Sequence, residues 1–507
     1  MLISRVKILK LQAVCMFKQF QTKEESLRYL IEQAVAKGRS LQSPQTGFVH
    51  YFYHAQEAMH QTIPIVENGY FILALMRTKT IENIKEAKEL LDRILIFQNQ
   101  SGNFPIYLHE FPNCKDRYLG AHLLPIFYWI LKDFHTILGQ DLKNRLIEST
   151  TALALYTLVA HEEKPGPYHL SLKCAAAWIA LGEWLNLPHL EDAGNQLLET
   201  LRLKGITQAW GDPHYLGEIL ASLQMVYPEI ASSPWDFLWH YILETWHSST
   251  ACYTGPARRV YQAEFQPQGS LYDLYLGYFE THFSQRQTDG YPYELLASLI
   301  QPSEDVFIPT SHLTKNGLFH QQHWMMVKEE NYTYCFLEKD KALDPSQHKG
   351  YHLFRLLWGA PSHVHSFVFQ ETKSLADIVC IAQKEHVELD LILEGPPPED
   401  NGDLEGEINF FVDLHEGLKV LVDNVPATTF QIENTLQLKS PLLSLSIQFQ
   451  LMEGEGSFFG HLLRGNRPAQ ILNKGAQRYE AYDSQIAIRT IKRSEKCRIK
   501  VLIDILK

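Results

Sequence analysis

The chain has 507 residues and a formal net charge of −12, with 45% hydrophobic and 21% charged residues. These values are typical of a globular protein with two or three domains and enough apolar residues for a large core. The acidic balance excludes a general nucleic-acid binder, which needs a basic surface, so no nucleic-acid partner is expected. No apolar run reaches the roughly 18 residues that a membrane span needs.

The cysteines and the N-terminal segment bear on the cellular compartment. Seven cysteines are scattered along the chain without a CxxC pair, so neither a disulfide scaffold nor a zinc ribbon is indicated. Scattered thiols are typical of a reducing compartment, and we expect a cytoplasmic protein. A short apolar run from Leu11 leaves export open as the alternative, and Met16 is an alternative start. We expect residues 1–21 to form a flexible N-terminal segment.

Apolar residues recur at helical spacing from Thr22 to His247. The pattern predicts helices near residues 119–137, 142–160, 168–185, 190–203, 214–226 and 234–246. Short breaks rich in Gly and Pro separate them, and helices joined in this way pack antiparallel. The breaks recur about every 50 residues, within the range of helix-pair arrays. We therefore expect an α/α toroid, a closed ring of helix hairpins, over residues 22–310, with 248–310 as a connecting segment.

The apolar period changes to two from His320 onward. Runs such as Tyr332–Phe336, Ile408–Val412 and Gln485–Arg489 predict strands, and turn signals separate them. Many short strands without intervening helices indicate an antiparallel β-sandwich, which we expect over residues 311–507. The predicted fold class is thus a multidomain protein, first α and then β.

Histidine and tyrosine residues recur at the predicted helix starts. They are Tyr118, His122, Tyr168, His169, His214 and Tyr215. A helix N-terminus is electropositive and presents N–H groups, so it suits anionic ligands. The starts of alternate helices in a toroid gather around one mouth. We therefore expect these side chains, Tyr168 apart, to line one concave surface; the alternative for each is a core-rim role.

Two further segments carry polar groups suited to anion binding. Asn113 lies in a dense polar loop between two predicted helices, and Tyr253, Arg258 and Arg259 surround a tight turn. Arginine suits bidentate recognition of a carboxylate or sulfate. The alternative for the arginine pair is an interdomain salt-bridge patch.

One histidine pair is a weak candidate for a metal site. His363 and His365 lie two residues apart on a predicted strand and so face the same side. Zinc would need further ligands, and a surface pair is the alternative. The sequence contains no phosphate loop, nucleophile elbow or HExxH helix, so no cofactor is expected.

A helical toroid followed by a β-sandwich resembles the polysaccharide lyases of the heparinase II/III and alginate lyase type. The resemblance is architectural and spans nearly the whole chain. Its local support is residues 362–369, which look like the histidine-bearing strand that begins the sandwich of those families. The aspartate that usually follows in those families is absent from this sequence.

The resemblance implies a lyase that binds acidic carbohydrate and cleaves a uronate poly- or oligosaccharide by β-elimination. In such enzymes an Asn, His or Arg neutralises the carboxylate, a Tyr or His removes the α-proton, and a tyrosine often protonates the leaving oxygen. The base must lie within hydrogen-bond reach, and the enolate charge must be stabilised. The catalytic candidates of matching type are Asn113, His214, Tyr215 and Tyr253. The substrate-binding candidates are Tyr118, His122, Tyr168, His169, Arg258 and Arg259.

Two other functions stay open at this point. An α/α-barrel glycoside hydrolase would need two carboxylates across the cleft. Glu110, Asp116, Asp212 and Glu218 are available for that role. The other alternative is a non-catalytic carbohydrate-binding or scaffold protein of the same architecture.

Overall fold

The computed structural model describes residues 17–50, 62–207, 210, 213–256, 282–284, 307–319, 321–342, 351–360, 363–396, 406–412, 418–440, 442–464 and 484–506. Within these ranges, helices occupy the first half of the chain and antiparallel strands the second. The α-then-β layout that the switch in apolar period predicts is therefore confirmed.

Nine α-helices lie in the described part of the first half. They are α1 (Lys23–Leu41), α2 (Ile65–Arg77), α3 (Ile81–Leu95), α4 (Leu119–Phe134), α5 (Gln140–Glu163), α6 (Tyr168–Leu185), α7 (Pro188–Lys204), α8 (Pro213–Leu223) and α9 (Asp236–Thr245). The bounds of α6 are those predicted, and the others differ by a few residues. No described helix is long and apolar enough to cross a membrane.

Four of these helices, α2, α4, α6 and α8, lie side by side and run in the same direction. Near their starts, Lys173 of α6 contacts both His122 of α4 and Glu218 of α8. At the other end, Arg77 in the last turn of α2 lies 3.8 Å from Asp133 in the last turn of α4. The N-termini of the four helices therefore lie at one end of the helical part.

The intervening helices run in the opposite direction. His161 near the end of α5 contacts Ser171 near the start of α6, with 3.2 Å between Nε2 and Oγ. Gly182 near the end of α6 packs so closely on the start of α7 that a Cβ there would lie 2.7 Å from the backbone nitrogen of Glu191. Each of these contacts lies between two antiparallel helices that form a helix hairpin.

The described strands all pair antiparallel. They are β1 (Phe17–Gln19), β2 (Trp246–His247), β3 (Cys252–Tyr253), β4 (His282–Ser284), β5 (Leu313–Phe319), β6 (Gln322–Lys328), β7 (Tyr332–Leu337), β8 (His352–Ala360), β9 (His363–Gln370), β10 (Leu375–Gln383), β11 (His386–Glu394), β12 (Ile408–Val412), β13 (Lys419–Val422), β14 (Thr429–Gln431), β15 (Leu436–Lys439), β16 (Ser444–Glu453), β17 (Gly456–Arg464), β18 (Ser484–Arg493) and β19 (Lys496–Leu506). β1 pairs with β4, so Phe17–Gln19, which fall in the segment predicted to be flexible, form a strand.

Two large sheets share one core. The nine-stranded sheet has the order β14-β17-β18-β12-β9-β8-β7-β6-β5, and the six-stranded sheet has the order β10-β11-β19-β16-β15-β13. Phe410 on β12 of the larger sheet packs against Phe449 on β16 of the smaller one, with 6.2 Å between ring centroids. Side chains alternate between buried and partly exposed along β19, as expected for a strand with one face on a core.

The larger sheet also packs against the helices. Trp324 and Met326 on β6 are buried in the same apolar cluster as helical residues such as Trp239. Lys328 on the same strand donates to the carbonyls of Leu243, Glu244 and Trp246 at the end of α9. The helical and sheet parts therefore contact each other through apolar packing and through a buried ammonium group.

Candidate functional site

A polar cluster lies where α4, α6 and α8 begin. Its members, which we call the helix-start cluster, are His122 on α4, His169 and Lys173 on α6, and Tyr215 and Glu218 on α8. His169 and Lys173 are four residues apart, and Tyr215 and Glu218 are three apart, so each pair shares one face of its helix. The sequence therefore places two polar side chains of α6 and two polar side chains of α8 between these helices.

Lys173 lies at the centre of this cluster. Its Nζ is 2.8 Å from Glu218 Oε2, and the two side chains are only 6% and 9% exposed. A buried charge without a partner is costly, so each of these groups requires the other. The pair fixes a cation and an anion between α6 and α8.

The same ammonium group reaches the third helix. Lys173 Nζ lies 3.2 Å from His122 Nδ1. An ammonium group has three N–H donors and no acceptor, so Nδ1 is the accepting nitrogen of this contact. His122 is half-buried, and it is therefore held by a charged donor while its ring stays partly accessible.

His169 and Tyr215 form the other contact between α6 and α8. Their rings are stacked, with 3.8 Å between centroids and 8° between planes. His169 is buried and Tyr215 is half-buried. The stack holds the tyrosine ring against α6 and leaves part of it accessible at the start of α8.

The helix-start cluster brings together a cation, a carboxylate, two imidazoles and a phenol. These groups can bind an anion, and imidazole and phenol can transfer protons. The N-terminal ends of the three helices add a favourable field for negative charge. The arrangement is chemically suited to binding an acidic ligand and moving a proton on it.

Two of the predicted tyrosines donate to backbone carbonyls. The Tyr118 hydroxyl lies 3.2 Å from the carbonyl oxygen of Lys164 and 3.4 Å from that of Pro165, in the loop before α6. The Tyr168 hydroxyl lies 3.1 Å from the carbonyl oxygen of Leu201 on α7, and burial raises the pKa of this tyrosine. Each hydroxyl therefore holds a connection between neighbouring helices.

Two predicted catalytic residues occupy contrasting surroundings. Tyr253 is 1% exposed, and its hydroxyl contacts the Tyr241 hydroxyl at 2.8 Å and the Pro256 carbonyl oxygen at 2.9 Å. These surroundings are those of a structural core residue, and Tyr253 is not a member of the helix-start cluster. Asn113 is exposed, and its backbone N–H donates to the Glu110 carbonyl.

His365 on β9 faces away from the helices. His365 is buried and packs on Trp358, with 5.5 Å between ring centroids, and Trp358 belongs to the core between the two sheets. No group of three or more His, Cys, Asp or Glu side chains suited to a metal ion occurs in the described part of the chain. The six described cysteines are all free.

The side chains of the candidates His214 and His363 lie outside the described residues, as do Asp212, Arg258 and Arg259 entirely. Their roles stay predictions.

Sequence reasoning missed Lys173 and did not link Glu218 to it. Lys173 lies in a stretch of α6 whose other residues from Ser171 to Gly182 are also buried. A single charged residue inside such an apolar helix must have a buried partner, which is the signal that was available. The partner itself could not be read from the sequence, because it lies on a different helix.

The architecture is similar to that of polysaccharide lyases. The chain is similar to the crystal structure of heparinase III with a TM-score of 0.50 and 10% sequence identity, over 95% of this chain and 85% of that one. It is also similar to the chondroitin AC lyase of Streptomyces coelicolor A3 in complex with chondroitin sulphate, with a TM-score of 0.49 and 8% identity over 94% of this chain and 78% of that one. The second likeness is too weak to add support.

Sequence comparison adds no closer relationship. No protein-family model matches the sequence, and no curated protein matches it significantly. The polysaccharide-lyase-like architecture that the sequence predicts is therefore confirmed at the level of the fold.

Proposed function

We propose that this protein is a polysaccharide lyase that cleaves acidic, uronate-containing carbohydrate by β-elimination. The observation that carries the proposal is the helix-start cluster, in a chain that shares its fold with heparinase III. The proposal includes the finer architecture: an α/α toroid over residues 22–310 and an antiparallel β-sandwich over residues 311–507.

The helix-start cluster supplies the chemistry that β-elimination needs. The proton α to a uronate carboxylate is removable only if the carboxylate charge is offset and the developing enolate is stabilised. His122, backed by Lys173, is the group that binds the carboxylate in this proposal. Tyr215 removes the α-proton, the electron pair forms a C=C bond, and the glycosidic oxygen on the β-carbon leaves and takes up a proton.

The remaining sequence-predicted residues complete the proposed site. His214 precedes Tyr215 and is the proposed donor of the proton to the leaving oxygen. Asn113, Arg258 and Arg259 are proposed to contact the acidic substrate, because amide and guanidinium groups suit carboxylates and sulfates. Arg258→Ala should then weaken turnover and leave the melting temperature unchanged; the reverse result would assign this arginine a structural role.

The test is to incubate the protein with alginate, chondroitin sulfate, heparan sulfate and a neutral glucan. Elimination conjugates a new C=C bond with the carboxylate, and its ultraviolet absorbance reports the reaction directly. We expect the absorbance to rise with an acidic polymer and not with the glucan. Tyr215→Phe should lower the rate by roughly 10²-fold or more, the usual contribution of a proton-transfer group.

A matched control separates chemistry from folding. Tyr227 is another half-buried tyrosine, and it follows the far end of α8. Tyr227→Phe should retain the wild-type rate. Equal losses in both variants, or no reaction with any uronate polymer, would contradict the proposed role of Tyr215.

The same assay distinguishes the alternative functions. A glycoside hydrolase would produce new reducing ends without the absorbance, and a carbohydrate-binding protein would retain polymer without producing either. Among the carboxylates considered for a hydrolase, Glu218 is paired with Lys173, and Asp116 Oδ1 accepts the Tyr118 backbone N–H at 2.8 Å. Glu110 Oε2 accepts the Tyr107 backbone N–H at 3.3 Å. These contacts favour the lyase.

A further inference from the structure

The contact between Lys173 and His122 has a consequence for the protonation of the imidazole. Lys173 Nζ lies 3.2 Å from His122 Nδ1, and an ammonium group can only donate in this contact. A proton on Nδ1 would face the N–H groups of a cation. The contact therefore disfavours both the Nδ1–H tautomer and the doubly protonated imidazolium, and it favours the neutral ring with its proton on Nε2.

This effect requires lysine to stay charged although its side chain is buried. Burial alone drives a lysine toward the neutral amine, which could accept a proton from Nδ1 instead of donating one. Glu218 Oε2, 2.8 Å from Nζ and itself buried, opposes this by stabilising the ammonium form. The carboxylate on α8 thus acts on the imidazole of α4 through the ammonium group of α6.

We infer that Lys173 and Glu218 are positioning residues that hold His122 in the neutral Nε2–H tautomer. Under the proposed function, on which this part rests, His122 then offers an N–H donor to the uronate carboxylate. The other titratable members of the helix-start cluster are His169 and Tyr215, whose rings stack on each other between α6 and α8. A donor whose proton is in place before the substrate arrives suits an acceptor such as a carboxylate oxygen.

The tautomer can be measured without any substrate. Protein labelled with 15N-histidine gives long-range 1H–15N correlations that separate the two neutral tautomers and the imidazolium, and His122→Gln assigns the His122 signals. We expect wild-type His122 at pH 7 to show a protonated Nε2 and an unprotonated Nδ1. Signals of the Nδ1–H form or of the imidazolium would overturn the inference.

Three variants test the chain of contacts. Lys173→Met and Glu218→Gln should each shift the His122 Nδ1 resonance toward that of a protonated nitrogen, and Lys173→Arg should retain the wild-type pattern because it keeps a cationic donor. Glu199→Gln, which removes an exposed carboxylate from a pair with Arg202 on α7, is the matched control and should change nothing. An unchanged His122 spectrum in folded Lys173→Met would overturn the inference.

The outcome is separable from that of the lyase proposal. If no uronate polymer is cleaved but the tautomer behaves as described, the proposed function fails and the role of Lys173 and Glu218 stands. If elimination occurs, Lys173→Met should raise KM for the acidic polymer at least tenfold and Lys173→Arg should restore it in part. A KM that stays at the wild-type value in Lys173→Met would overturn the link to substrate binding.

Discussion

Lys328 on β6 lies at the carboxyl end of α9, where its Nζ is 2.6 Å from the carbonyl oxygen of Glu244. The same group donates to the carbonyls of Leu243 and Trp246, and the residue is fully buried. The last carbonyls of a helix lack partners within the helix and carry partial negative charge, so a cation there is favourable. The Lys328 side chain of the sheet thus caps the carboxyl end of a helix in the other half of the chain.

Removing this ammonium group should destabilise the contact between the two halves. Lys328→Met retains the apolar length of the side chain and removes the ammonium donor from the buried carbonyls. We expect a loss of about 3 kcal/mol in the free energy of unfolding, the upper value for a hydrogen bond to a charged group. Chemical denaturation measures this change in the free energy of unfolding. Lys384→Met removes an exposed ammonium that pairs with Glu329 and should cost below about 1 kcal/mol; equal effects would contradict the assignment.

The helices and strands could be predicted from the sequence because their apolar periods are clear. The bounds of α6, for example, follow from Pro167 before the helix and from the apolar run within it, and the left-handed Asn186 ends it. The contact of Lys328 with α9 could not be predicted, since it depends on which strand packs against which helix. Contacts between residues that are far apart in the sequence are determined by how the helices and strands pack.

In the candidate site, too, local features could be predicted from the sequence and accessibility could not. Placing His122, His169 and Tyr215 at helix starts required only local patterns, and the structure brings these three together. Residue type and a neighbouring turn make Tyr253 a candidate in the sequence, whereas in the structure it is buried in the core. Residue type alone does not determine accessibility, because tyrosines whose hydroxyls form hydrogen bonds also occur in the core.

Glu407 and Arg493 form a buried ion pair at the edge of β12 and β18. Arg493 Nη2 lies 2.7 Å from Glu407 Oε1, and the side chains are 0% and 1% exposed. Glu407→Gln leaves the guanidinium buried without its anion, so we expect a loss of about 3–5 kcal/mol. The double variant Glu407→Gln, Arg493→Met should lose less than the sum of the two single changes, which denaturation of all four proteins would measure.

An exposed ion pair on the six-stranded sheet provides the comparison. Lys496 and Glu394 are 2.8 Å apart, and their side chains are 62% and 49% exposed. Lys496→Met should cost below about 1 kcal/mol because solvent screens this pair. Additive effects of the two single changes at Glu407 and Arg493 would show that the buried groups do not interact as proposed.

Acid should weaken the contact between α9 and the sheet through His247. Burial lowers the pKa of His247 from 6.5 to about 4, and the ring contacts Thr250 Oγ1 at 2.8 Å and the Glu329 carbonyl oxygen at 2.9 Å. The unfolded chain binds a proton near pH 6.5 that the folded chain does not bind until about pH 4. Stability from this residue is therefore present above pH 6.5 and is lost as the pH falls toward 4, by roughly 3 kcal/mol in total.

The measurement is the free energy of unfolding of wild type and His247→Gln between pH 7.5 and 4, in steps of roughly half a unit. The difference between the two proteins should shrink as the pH falls. His240→Gln changes an exposed histidine on α9 and should follow the wild-type curve. A constant difference between wild type and His247→Gln over this range would contradict the assignment.

The stack of His169 on Tyr215 predicts how the proposed base is oriented. His169→Ala removes the ring that packs on Tyr215 at 3.8 Å, so the phenol loses its support from α6. Because a small misplacement of a reacting group lowers rates about 10²-fold, kcat for uronate elimination should fall by about that factor.

His169→Phe keeps an aromatic ring without imidazole nitrogens and should retain most of the rate if His169 acts only by stacking. A loss in His169→Phe as large as that in His169→Ala would instead assign the imidazole nitrogens a direct part in proton transfer. Steady-state kinetics of both variants, with their melting temperatures measured alongside, separates these two roles.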